Sequence, residues 1–251
     1  AASAGATTDE TAPDSPLTAA EPDLAQDHDE LALADRLIVH ARDAQLAGAA
    51  RDLARQLKLV LSNEQNVLLE LVRERTAEKI TASDLAPDLE AAASYAAAAR
   101  RELNAAAQAG WRSVARGDTP DEVELGPVPE QLGADLAASL RSQVVGALDG
   151  NRDRLSDQIR AIYRQARNQR ANEYADHAVL AAYTQGQLAA VGSGAVEGGV
   201  ALVRWVFEAC GPDCLDNSLA GQLALGDPFP TGHLHPPASR GCRCLLVHVR
   251  T

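Results

Sequence analysis

The chain has 251 residues, a net charge of −12, 46% apolar residues and only 3% aromatics, which allows one or two domains with a real core. Alanine supplies much of the apolar content, and a core with so few rings suits closely packed helices better than a β-sandwich. No apolar run approaches the roughly 18 residues that span a membrane. The N-terminus lacks the basic region and apolar stretch of a signal peptide, so a cytoplasm-like setting without a membrane partner is expected. There is no Met; the opening Ala-Ala-Ser fits either removal of an initiator Met or a fragment.

Residues 1–30 carry eight acids and neither Lys nor Arg, so this short stretch holds most of the net negative charge. A segment rich in Ala, Thr, Pro and acid buries too little apolar surface to order itself. Residues 1–29 are therefore expected to form a disordered acidic tail, solvated or docked on a basic partner.

From Glu30 to about Ser62, Leu31, Ala34, Leu37, Ile38, Leu46, Leu53, Leu57 and Leu61 recur at three- and four-residue spacing, which predicts a helix. Ser62-Asn63-Glu64 reads as a break, and a second helix follows from Val67 to Ile80. Thr81–Asp84 breaks the pattern again. An Ala-rich helix is then expected from about Asp88 to Val114, closing an N-terminal helical region over 30–116. Residues 117–130, with three prolines, read as an irregular acidic linker.

Beyond the linker, Leu132, Leu136, Leu140, Val144 and Leu148 form one stripe at helical spacing. Gly150-Asn151 marks a turn, and a long helix is expected from Asp153 to Val191. The glycines of 192–199 stop it, so 131–199 forms a long-helix region. Then the period changes. Val200–Phe207 and Leu245–Val249 are β-rich and read as two antiparallel strands with a loop between them. Residues 200–251 thus form a Cys-rich β-hairpin module. The fold class expected is mainly α, as a bundle or extended array of long helices, with this small module at the end.

All four cysteines lie in that module, as CGPDC at 210–214 and CRC at 242–244. Cys210 and Cys214 flank a Gly-Pro turn; Cys242 and Cys244 flank one residue at a strand entry, so their side chains leave on one face. Four such sulfurs suit a tetrahedral Zn²⁺. A disulfide and free structural thiols are the competing readings, the disulfide being disfavoured in a reducing compartment. His233 and His235 share the loop, and His235 joins the cysteines as a candidate ligand.

Residues 150–172 carry six arginines against two aspartates. Arg160, Arg164 and Arg167 are four and three residues apart and are expected to share a helix face, as candidate contacts to DNA phosphates or to a protein partner. A solvated or subunit-facing side paired with the chain's many acids is the plainer reading of the same stripe. Nothing forms a Gly-x-Ser-x-Gly elbow, a P-loop or a His-Glu-x-x-His helix, and the chain is read as a non-enzyme. His177 stands isolated on the long helix.

The order of motifs over residues 160–247 resembles one known family. RAIYRQARNQR runs into AYTQGQLAA, followed by VRWV, CGPDCLD, LGDPFPTG, HPP and CRCLL. This stretch is similar to the C-terminal part of the phage Mu F-like minor head proteins, the head-morphogenesis proteins of tailed phages. Residues 1–159 match only in helical character. The resemblance implies a structural minor capsid protein, present in several copies inside the virion head at or near the portal. Its partners would be the portal protein, other head proteins and the phage DNA, with assembly in the host cytoplasm. The family commonly has His shortly before CRC; here Ser239 stands in that place and Arg240 in the place of a Pro. His235 or His233 would then substitute, or four cysteines would serve alone. A zinc-stapled DNA-binding module and a phage-encoded toxin-like enzyme are the alternatives from other classes.

Overall fold

A computed structural model describes residues 24–75, 80–85, 88–150, 152–208 and 210–249. The expected acidic tail lies outside these up to residue 23. The chain is mostly helical, with a small antiparallel sheet near its C-terminus, as the composition predicts. Among the described residues no helix is long and apolar enough to cross a membrane.

Helix α1 is Leu24–Glu74, 51 residues without interruption. It begins inside the stretch expected to be tail, and it runs through the expected break at 62–64. Leu61 and Leu68, seven residues apart, keep the same buried side across that point. Ser62 donates to the Lys58 carbonyl at 2.8 Å, a bond within the helix, so it caps no new one. Glu64 accepts the Tyr95 hydroxyl from the next helix. The helix also stops at Glu74, short of the expected Ile80. Ala82–Asp84 then forms a short 3₁₀ turn capped by Thr81, from whose amide and hydroxyl the Asp84 carboxylate accepts.

Helix α2 is Asp88–Val114 and α3 is Val128–Leu148. Three residues of the expected linker therefore belong to α3, where Pro129 sits in the first turn with no amide to waste. The connecting chain is pinned to α2: Asn104 and Gln108 donate to the Asp121 carbonyl at 2.7 and 2.9 Å. Asn104 also accepts the Val123 amide at 2.9 Å.

Helix α4 is Leu155–Gln165 and α5 is Ala171–Gly192, joined by a π-turn over Ala166–Arg170. The long helix expected over 153–191 is thus present, with one wider turn inside it. The glycine stop after 192 holds.

Small residues set how closely these helices approach. A Cβ on Gly110 would lie 1.9 Å from the Tyr183 carbonyl oxygen, and one on Gly186 would lie 1.9 Å from that of Ala107. A Cβ on Gly133 would lie 2.2 Å from the Ala92 carbonyl oxygen. Alanines and glycines are thus required where α2 meets α5 and α3, because backbone touches backbone there. One buried cluster runs from Val39 through all five helices to Val206 and Leu245 of the sheet.

The sheet has strand order β2-β1-β3, with β1 Leu202–Val206, β2 Gln222–Ala224 and β3 Leu245–Val249. The expected antiparallel pair is β1 with β3, in register Trp205↔Leu246 and Val206↔Leu245. The sequence reading missed β2 and the helix α6, Pro212–Leu219. Alternation splits the sheet's two faces. Val206 and Leu245 join the helical core; Val203, Trp205 and Leu246 pack against the cysteines.

Candidate metal centre

The cysteine cluster is assembled from three local structures. Gly211 precedes α6, Pro212 opens it, and Cys214 falls in its first turn, so Cys210 and Cys214 sit at either side of a helix start. A turn closed by the Cys242 amide donating to the Ser239 carbonyl at 3.0 Å, with Gly241 at φ 88°, delivers Cys242. Only a residue tolerant of the left-handed region fits position 241 without strain. Cys244 stands directly before β3 and takes the Glu208 amide on its sulfur at 3.4 Å.

These pieces bring the four sulfurs together. Cys210 and Cys244 are 3.1 Å apart, Cys214 and Cys242 3.5 Å, and Cys210 and Cys242 3.9 Å. All four lie within 4.8 Å of one another. Sulfurs about 2.3 Å from a tetrahedral zinc stand roughly 3.8 Å from each other. The observed separations lie on either side of that value, close enough for one ion to gather all four, and all four are free thiols. Cys214, Cys242 and Cys244 are buried; Cys210 is half-buried.

The electrostatics of the cluster favour one anion at a time. Hydrogen bonding from the Cys244 thiol outweighs burial and pushes Cys242 down to about 5. Cys244 is pushed up by its hydrogen bond to Cys242 and by burial. Cys214 is pushed up by burial, then by its bonds to Cys210 and Cys242. Four buried thiolates need a cation among them, which is the condition a divalent metal meets.

The loop from 225 to 241 is shaped around this centre. Asn217 of α6 is fully buried, and its side-chain oxygen accepts from the Thr231 amide at 3.1 Å and hydroxyl at 2.8 Å. Phe229 meets the edge of Trp205 with ring centroids 5.1 Å apart. The Pro236–Pro237 bond is cis.

His235 does not join the sulfurs. Its Nε2 faces Gln185 of α5 at 3.4 Å and its Nδ1 lies 3.1 Å from the Pro236 carbonyl oxygen. His233 bonds the Thr231 hydroxyl at 2.8 Å and stacks edge-on to Trp205. The candidate His ligand is thereby corrected: among the described residues the group that could hold an ion is Cys210, Cys214, Cys242 and Cys244. Ser239 contributes its carbonyl to the turn. Arg240 lies 4.6 Å over the Tyr174 ring and 3.5 Å from Asp135, fastening the loop to α5 and α3. His177, half-buried beside this loop, is held below the usual histidine range by burial and then by the Arg240 charge.

The module is mounted on α1 by groups the sequence reading passed over. Arg42 is 3% exposed and donates to the carbonyls of Cys244 at 2.8 Å and Arg243 at 2.6 Å. Asp43 binds both Arg42, at 2.8 Å, and Arg243, at 2.7 Å. Arg204 of β1 grips Asp35 with both terminal nitrogens, at 2.6 and 2.5 Å. An arginine at a core-facing helix position was the available signal.

The three arginines of the stripe differ in their surroundings. Arg160 is exposed and pairs with Asp157 at 2.9 Å. Arg164 is exposed. Arg167 turns inward and donates to Gln65 of α1 at 2.6 Å. Arg167 lies at the start of the π-turn, half-buried, where Arg160 and Arg164 are exposed.

No protein family, curated protein or solved structure matches this chain in comparisons of sequence or fold.

Proposed function

We propose that the chain is a structural minor head protein of a tailed phage, whose C-terminal module is stapled by one zinc ion. The observation that carries the zinc reading is the convergence of four sulfurs from three separate local structures to within 4.8 Å. Cys210, Cys214, Cys242 and Cys244 would hold the ion, and a four-thiolate site leaves no open position for chemistry. Its contribution is folding free energy: it closes the loop between β1 and β3 and fixes the entry of β3. Arg42, Arg204 and Arg240 then fasten the stapled module to α1, α3 and α5. The head-protein reading rests on the ordered motifs from CGPDC to CRC. A rigid contact element on a long-helix body suits a portal-proximal protein aiding assembly or DNA passage.

Two measurements test the two parts. Protein purified under reducing conditions should contain about one zinc per chain by elemental analysis. A metal-free protein with a bond between the cysteine pairs in its mass spectrum would sink the zinc reading. Quantitative mass spectrometry of purified phage particles should find the chain in DNA-filled heads at low copy number. Its absence from particles would sink the head-protein reading.

A further inference from the structure

One face of α1 is left exposed by the described residues. Leu33, Leu37 and Ile38 are 58%, 61% and 40% exposed, although both residue types ordinarily go inside. From this region the sequence continues in steps of three and four: Ala34, Leu37, Ala41, Ala44 and Gly48. All five positions are exposed, and a Cβ on Gly48 would meet nothing within 4 Å. Val39, Leu46 and Leu53, which pack the body, occupy the other side. The helix therefore carries two apolar stripes, one packed and one that no described residue covers.

Charge says what covers the free one. The next steps toward the N-terminus are Glu30 and Asp27; the next toward the C-terminus are Arg51 and Arg55, both exposed. A parallel second copy would set acid beside acid and arginine beside arginine. An antiparallel second copy, with the two-fold axis between Leu37 and Ala41, opposes each Leu37 to Ala41 and each Ala34 to Ala44. In that register position 27, acidic, comes opposite position 51, basic, at both ends. A basic groove on another protein would satisfy the acidic end and repel the other.

We propose that this stripe pairs with itself: α1 docks antiparallel on α1 of a second copy of this chain. Ala41, Ala44 and Gly48 let the two backbones approach, Leu37 packs on the partner's Ala41, and Leu33 and Ile38 fill the flanks. Positions 27 to 51 span about 36 Å of helix. A single helix pair of that length falls below the interface size of about 1,600 Å² typical of stable complexes, so the dimer is reversible. The pairing is independent of the zinc and of the head-protein reading.

Sedimentation equilibrium of the full chain over roughly 1–100 µM tests it, a range that brackets micromolar dissociation. A monomer–dimer equilibrium is expected. Leu37→Glu and Arg51→Glu should each weaken it at least tenfold, with helical circular dichroism unchanged because both sites are exposed. Ala44→Glu probes the same seam should Leu37→Glu lose helicity. Asp27→Arg added to Arg51→Glu should restore dimerisation. A chain monomeric at every concentration, a dimer indifferent to both Leu37→Glu and Ala44→Glu, or a charge swap that fails to restore pairing overturns the proposal.

Discussion

In the helical body, Gly110 and Gly186 let two helices touch backbone to backbone, and a buried cluster spreads over all five helices. In the C-terminal module, seven buried residues form a small cluster, three of them cysteines. The body draws on many interchangeable apolar contacts; the module draws on a few that admit no substitute. Small cores rarely hold themselves, and chains of this kind recruit a metal or cross-link instead. With the proposed zinc in place, the same polypeptide would hold both solutions side by side, joined at Arg42, Arg204 and Arg240.

The sharpest way to break that contrast is at the sulfurs. Cys242→Ser, or a zinc chelator on the wild type, should abolish the near-ultraviolet dichroism of Trp205 while leaving most far-ultraviolet helicity. Equal loss of both signals would show that body and module are one cooperative unit. Next in size is Gly186→Val. The added carbons meet a carbonyl that belongs to a packed helix, so destabilisation of about 3 kcal/mol or more is expected in thermal or urea melts. This loss should appear in the helical signal first.

Acid gives the third contrast. His248 of β3 has both ring nitrogens buried without a hydrogen-bond partner, and burial pushes it down to about 4. The unfolded chain binds this proton near the ordinary value, about 6.5. Stability is therefore fully present above that value and is lost as pH falls through the window to 4, by about 3 kcal/mol in all. His248→Phe should flatten that part of the stability profile between pH 7 and 4. The smallest effect expected is Arg42→Met, which leaves the Arg243 and Cys244 carbonyls without their donor and costs about 2 kcal/mol. Arg42→Lys should recover only part, because an ammonium cannot reach two carbonyls and Asp43 as a guanidinium does. Hydrogen exchange at β3 would report it.

Much of this was legible in the chain before any coordinates. Apolar spacing gave the helices, glycines gave the stop at 192, and the β-rich runs gave the β1–β3 pair. The cysteine convergence followed from the two short spacings. What escaped did so for physical reasons. Ser62-Asn63-Glu64 has the composition of a helix start, yet Leu61 and Leu68 hold the register, and tertiary burial outweighs a local preference. Helix α6 hid inside a cysteine motif, although Gly211-Pro212 is a recognisable opening. The wider turn at Ala166 carries no composition mark, and the arginine spacing did not announce that Arg167 bonds Gln65 of α1. Arg42 and Cys244 are separated by 202 positions, and no local pattern announces such a bond. His235 entered the candidate ligands by nearness in sequence; in space it belongs to α5.

The continuity of α1 has a mechanical consequence. An uninterrupted helix of 51 residues is a stiff strut about 76 Å long. Asp35, Arg42 and Asp43 clamp the module to it, while Leu53, Leu57 and Leu61 bolt it to the body. A pull or twist applied near Leu33 is then delivered to the strand leaving Cys244 without passing through any loop. A break at residue 62 would have been harmless to that transmission; a break between 33 and 42 would have severed it.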